Sequence, residues 1–243
     1  MQQENRRSGW RKGLSDGIPI GLGYLSVSFS FGIMAQSQGL PVWAAMLISM
    51  TNLTSAGQVA GLGVIAAGGS LLELALTQVV INLRYALMSL SLSQKLDPSV
   101  GLGGRLFAAF GNTDEIFAVN MQQPGTLRLP YMAGLMTIPY LGWSLGTLGG
   151  AAAGQLLPEM VRSALNIAIY GMFLAIILPP ARRMGSVRGV VVLAAAASCL
   201  FAWVPGLDRV SGGFAIILST LFAAGVMAWL SPVQESEREE ERV

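Results

Sequence analysis

Residues 77–92 read TQVVINLRYALMSLSL, an apolar run with Asn82 and Arg84 at its centre. An arginine there is costly if the run lies in hydrocarbon. On insertion scales an unpaired Arg or Asp at the middle of a membrane helix costs ~2.5–3.5 kcal/mol. The rest of the chain says that it does lie there. Of 243 residues, 53% are hydrophobic and 12% charged, with a mean hydropathy of +0.58. A soluble domain carries about 25% charged residues. A chain with half that charge cannot wet a globular surface, so the run reads as a membrane helix whose arginine needs a partner.

A span needs about 20 predominantly apolar residues. Eight stretches qualify, near 17–38, 42–66, 71–92, 100–121, 129–156, 161–179, 187–204 and 210–230. Short breakers separate them, among them Gly39-Leu40-Pro41, Gly68-Gly69, Asp97-Pro98, Pro179-Pro180 and Pro205-Gly206. The expected fold is an all-α polytopic membrane protein of about eight transmembrane segments, some discontinuous, with both termini cytoplasmic. Residues 1–16 form a polar, basic cytoplasmic lead, 17–230 the transmembrane domain and 231–243 a disordered acidic tail. The first apolar stretch is too long for a signal-peptide core and reads as a retained helix.

The distribution of lysine and arginine supports both ends inside. With eight crossings, Arg6, Arg7, Arg11, Lys12, Arg128, Arg182, Arg183, Arg188, Arg238 and Arg242 are cytoplasmic. Lys95, Arg105, Arg162 and Arg209 are outside, and Arg84 is within the membrane. The basic clusters read as topology signals beside lipid head groups, not as a nucleic-acid surface.

Two segments carry interruptions. In VGLGGRLFAAFGNTDEIFAVNM (100–121), Gly111-Asn112-Thr113 breaks the apolar run, and Asp114-Glu115 follow as acids in a new first turn. Polar cap then acids is a helix start, so this segment is expected to be two half-helices. In the second segment Thr51, Asn52, Thr54, Ser55, Gly57 and Gln58 fall near mid-membrane. Interrupted segments are the usual pointer to a transporter's binding site. In the fifth segment Gly142, Gly146, Gly150 and Gly154 recur every four residues and make a bare stripe for close helix packing.

Charges inside the apolar stretches are few: Arg84, Asp114 and Glu115, with Glu73 and Arg105 nearer the ends. Pairing Arg84 with Asp114 or Glu115 removes most of the burial cost, so these residues are expected to meet. Asn82 and Arg84, two residues apart, lie roughly 200° apart around a helix. Their segment is therefore polar on two sides, which calls for a central place in the bundle or local unwinding.

Some chemistry is excluded outright. There is no histidine, which removes His-ligand metal sites and His-based triads. There is no GxxxxGK[ST] phosphate loop, and the single Cys199 reads as a packing residue. No cofactor and no enzymatic activity are expected.

The same residues carry a resemblance. GIPIGLGYLSVSFSFG, TSAGQ, NLRYALMSLSL and NTDEIFAV resemble the AzlC family, the large subunit of bacterial branched-chain amino acid exporters. The resemblance implies a multi-pass inner-membrane secondary transporter that exports Leu, Ile, Val or Met. It also implies a small AzlD-type membrane subunit as partner, in an assembly that can be a higher oligomer. The site expected is Thr54, Ser55, Gln58, Asn82 and Arg84 around the substrate, with Asp114 and Glu115 for proton coupling or an ion pair. Two departures stand out: Tyr85 occupies a position where many relatives have histidine, and Asn52-Leu53-Thr54 is more polar than the family pattern. A passive channel for a small solute and a non-transporting scaffold subunit are the alternative readings.

Overall fold

The computed structural model describes residues 2–154 and 156–231. The acidic tail expected over 231–243 lies almost wholly outside the described residues. Ten α-helices occupy the described chain, with no strand among its residues; the only β-type pairing is a bridge between Leu96 and Leu127. Among the described residues, four helical stretches are long and apolar enough to cross a membrane: Gly9–Ser37, Leu71–Lys95, Gly185–Trp203 and Gly212–Leu230.

The eight apolar stretches carry the helices in order, and two are discontinuous. α1 is Gln2–Ser37 and runs through the basic lead. The second stretch is α2, Val42–Thr51, and α3, Ser55–Ala66. α4 is Leu71–Lys95. The fourth stretch is α5, Leu102–Phe110, and α6, Asp114–Gln122. α7 is Leu129–Ala153, α8 Glu159–Arg183, α9 Gly185–Trp203 and α10 Gly212–Leu230. Pro179 and Pro180, read from sequence as a break, lie inside α8.

The described residues form two compact units, one within 2–62 and 81–170, the other within 63–80 and 171–231. In the first, α1 and α7 run parallel and in backbone contact. A Cβ on Gly13 would fall 2.1 Å from the Tyr131 carbonyl oxygen, and one on Gly32 2.3 Å from that of Thr147. From the α7 side, a Cβ on Gly142 would meet the Gly21 oxygen at 2.3 Å, and one on Gly150 the Phe29 oxygen at 1.9 Å. On Gly146 it would meet Ser28 Oγ at 2.0 Å. Gly154 caps α7 and faces Gln36 instead. Absent side chains let the two backbones touch, and dispersion contacts replace the hydrophobic force that lipid does not supply.

This pair gives the unit a direction, and the fourth stretch does not traverse it. The chain entering α5 lies at the end where α7 begins: Asp97 N–H donates to Leu127 O at 2.9 Å, and Leu127 N–H to Lys95 O at 2.8 Å. α5 rises along α7, with Gly104 against Leu129 and Gly111 against Met136. α6 then descends. Thr113 meets Tyr24 midway along α1, while Lys12 near the start of α1 donates to Gln123 at 2.8 Å. Lys95 Nζ also donates to Met121 O. Residues 100–121 therefore go in and come back, which corrects the expectation that they cross. Leu92, Leu96, Val100, Ala108, Ile116, Leu127, Met132, Leu135 and Met136 form the apolar core beneath this hairpin.

α4 differs from expectation too. It is one continuous helix, neither unwound at Asn82 nor wrapped on all sides. Leu72, Leu76, Val79, Leu83, Leu87 and Leu90, spaced by three and four, form an exposed apolar stripe. Thr77, Glu73 and Leu92 are buried. An exposed apolar stripe takes the place of a second protein-covered side.

In the second unit α9 and α10 are antiparallel, with Gly189 against Met227. They are joined through a 3₁₀ turn, Leu207–Arg209, that opens on Gly206 at φ 97°. The first turns of α4 and α10 meet there through Glu73.

Candidate functional site

Each helix break is built by its own polar residues. At the fourth stretch, Thr113 is the N-cap of α6, and its Oγ1 accepts the Ile116 N–H at 3.4 Å. Asp114 and Glu115 then occupy the first turn, where the positive end of the helix dipole favours acids. At the second stretch, Asn52 ends α2, and Thr54 Oγ1 accepts the Gly57 N–H at 3.1 Å as α3 starts. Gln58 Nε2 reaches back to Asn52 O and ties the two sides together. Ser55 opens α3 and is half-buried. Unlike α6, α3 has no acid in its first turn.

Arg84 finds its partner. Nη2 lies 2.8 Å from Asp114 Oδ2, with both side chains nearly half exposed (48% and 43%). The pair holds its partners together while leaving one side open. The same Nη2 donates to Tyr85 Oη at 3.1 Å, and the guanidinium lies 4.9 Å from the Tyr85 ring centroid. The Tyr85 side chain also hydrogen-bonds that of Thr54, so it links Arg84 to the first break.

Glu115 does not join Arg84. It accepts from Tyr24 Oη at 2.5 Å, and the same hydroxyl lies 2.6 Å from Thr113 Oγ1. With one proton to give, Tyr24 donates to the carboxylate and accepts from Thr113. Its ring packs edge-on to Trp143, with centroids 5.1 Å apart.

Both breaks open onto one apolar cavity of about 230 Å³. Leu53 from the first break and Gly111 and Ile116 beside the second line it. Phe107, Phe110, Met136 and Tyr140 complete its wall, and Tyr24 joins it to the polar network. It is smaller than the ~300 Å³ at which pockets for drug-sized ligands begin, a size for a small aliphatic group. Gly111 matters because a Cβ there would fall 1.8 Å from Met136 Cε.

Of the residues expected from sequence, Arg84, Asp114, Glu115 and Thr54 gather at the two helix breaks, and none of them is among the cavity-lining residues. Gln58 is buried and holds the break, with Oε1 left without a hydrogen-bond partner. Asn82 is half-buried on α4 and is not among the cavity-lining residues. Sequence reasoning missed Tyr24, Thr113 and the apolar wall. A tyrosine some 90 residues upstream carries no local sign of its partner. Thr113 was legible as a cap, though not as a relay.

Comparison with known proteins gives the wider setting. Residues 19–157, more than half of the chain, match the AzlC protein family. An uncharacterized membrane protein of Archaeoglobus fulgidus is 34% identical over 181 residues, covering 74% of this chain and 79% of its own. The inner membrane protein YgaZ of Escherichia coli is 28% identical over 204 residues, 78% of this chain and 81% of its own. No solved structure matches. The family match spans Tyr24, both helix breaks, Arg84, Asp114 and the whole of α7, so the site described above lies wholly within it, and the chain belongs to the AzlC family.

Proposed function

We propose that this protein is a secondary transporter that exports small neutral amino acids, Leu, Ile, Val or Met, driven by the proton motive force. The observation behind this reading is the meeting of two helix breaks on one apolar cavity, with the Arg84–Asp114 pair tying α4 to the first turn of α6 beside the second break. A zwitterion with an aliphatic side chain has three parts, and the site has three complementary ones. The cavity takes the side chain. The positive end of α3, which has no acid in its first turn, and Arg84 suit the carboxylate. Asp114 and Glu115 suit the ammonium, or a proton that takes its place. Binding the carboxylate draws Arg84 from Asp114, which ties substrate occupancy to the state of the acid.

The membrane arrangement belongs to the same proposal. α2 bonds α7 through Ser49 and Thr147 at 2.6 Å, and the Met50 carbonyl reaches Tyr140 midway along α7. In this reading α2–α3 and α5–α6 are re-entrant pairs from opposite sides, and α1, α4, α7, α8, α9 and α10 cross. Lys95 and Arg105 then move to the cytoplasm, leaving only Arg162 and Arg209 outside. That separation is cleaner than eight crossings give, and it keeps both termini cytoplasmic. The similarity to YgaZ, named an inner membrane protein, supports the inner membrane as location. A small AzlD-type membrane subunit as partner, possible in a higher oligomer, belongs to the same proposal.

The test is efflux of labelled leucine or methionine from dipeptide-loaded cells carrying the wild type, Arg84→Ala or Asp114→Asn. The proposal expects efflux from the wild type that an uncoupler stops and either substitution abolishes. Efflux linear in concentration and indifferent to the uncoupler points to a channel instead.

A further inference from the structure

The second unit holds a buried carboxylate that the proposed transport site does not use. Glu73 is 5% exposed, one turn into α4. Its Oε1 accepts from Ser211 Oγ at 2.5 Å and from the Gly213 N–H at 2.9 Å, at the start of α10. Ser70 caps the Glu73 N–H at 3.1 Å, yet the Glu73 side chain turns to α10 instead of completing a capping box. No lysine or arginine forms an ion pair with it among the described residues. A membrane carboxylate without a cationic partner takes its positive charge from elsewhere.

A second observation points to what supplies it. Thr77, one helical turn on, is fully buried, and its Oγ1 has no hydrogen-bond partner. It looks at the same spot as Glu73. A Cβ on Gly213 would lie 2.5 Å from Glu73 Oε1 and 2.9 Å from Thr77 Oγ1. Any side chain at that position would press on both oxygens, so glycine brings them against the α10 backbone. Ser211 Oγ and the Gly213 N–H both donate to Oε1, and Glu73, Thr77 and Ser211 form an all-oxygen set. Oxygen ligands select hard cations, and one carboxylate balances one positive charge. No group of three His, Cys, Asp or Glu that could hold a metal occurs among the described residues, which disfavours a divalent ion.

We propose that Glu73, Thr77 and Ser211 bind a hard monovalent cation of the Na⁺ class between the first turns of α4 and α10. A proton on Glu73 would neutralise the carboxylate but leave the Thr77 hydroxyl without a partner. The site is separate from Arg84 and Asp114, and its test reads binding, so it holds or fails independently of the transport reading.

The experiment is thermal melting of the full-length protein in detergent, with NaCl exchanged for choline chloride at constant ionic strength. Wild type should melt several degrees higher in Na⁺. Glu73→Gln and Thr77→Val should each remove that difference. If Glu73→Gln does not assemble, Thr77→Val decides alone, since it removes only a hydroxyl that bonds nothing. Equal melting of the wild type in both salts, or a Na⁺ effect that survives in Thr77→Val, overturns the proposal.

Discussion

Arg84 Nη2 sits 2.8 Å from Asp114 Oδ2 and joins a continuous helix to the first turn of a half-helix. That pair is the hinge of the account, because it brings a cation and an acid to the start of α6, beside a break that opens on the cavity. Its half-open placement limits its worth as a structural bond. An ion pair that water can reach contributes ~0–1 kcal/mol. Asp114→Asn should therefore cost little folded protein, by size exclusion in detergent, while efflux falls at least about tenfold, equivalent to ~1.4 kcal/mol.

Tyr24→Phe separates the relay from packing. The ring keeps its edge against Trp143, while Glu115 loses its donor and Thr113 its acceptor. Efflux should slow severalfold at saturating leucine with little change in the half-saturating concentration. An unchanged maximal rate would show that Glu115 does not need the tyrosine.

The glycine stripe makes a sharp stability prediction. A Cβ on Gly150 would lie 1.9 Å from a backbone oxygen that cannot move alone, whereas one on Gly23 meets nothing within 4 Å. Gly150→Ala should destabilise by the ~1–3 kcal/mol typical of overpacking. Gly23→Ala should be neutral or stabilise by ~0.4–1 kcal/mol, because alanine restricts the unfolded chain. Melting temperatures of the two proteins in one detergent check the contrast in sign.

Topology is tested by single cysteines in a Cys199→Ser background, using a reagent that does not cross the membrane. Gly101→Cys and Thr126→Cys should both be shielded in intact cells and react after lysis. Ala67→Cys should react from outside. Eight full crossings predict the reverse at residues 67 and 101.

Much of this was legible in the sequence, and the limits have physical causes. The burial cost of Arg84 demanded an acid, and Asp114 supplies it. The break at residues 111–113 was written in Thr113 followed by two acids, because a helix start needs a cap and favours negative charge. Re-entrance was not legible in the same way. Hydropathy tells how much apolar chain there is, not whether two half-helices continue or double back. Tyr24 and the cavity wall were invisible because they depend on contacts between α1, α5, α6 and α7, far apart in sequence.

The central claim is that Arg84 and Asp114 act on a bound amino acid. The most direct measurement is binding of labelled leucine to purified protein carrying Arg84→Ala or Asp114→Asn, beside wild type and Gly23→Ala. The account predicts saturable binding by wild type and Gly23→Ala, and at least about tenfold weaker binding by both site variants, ~1.4 kcal/mol each. Equal affinity in all four proteins would contradict it.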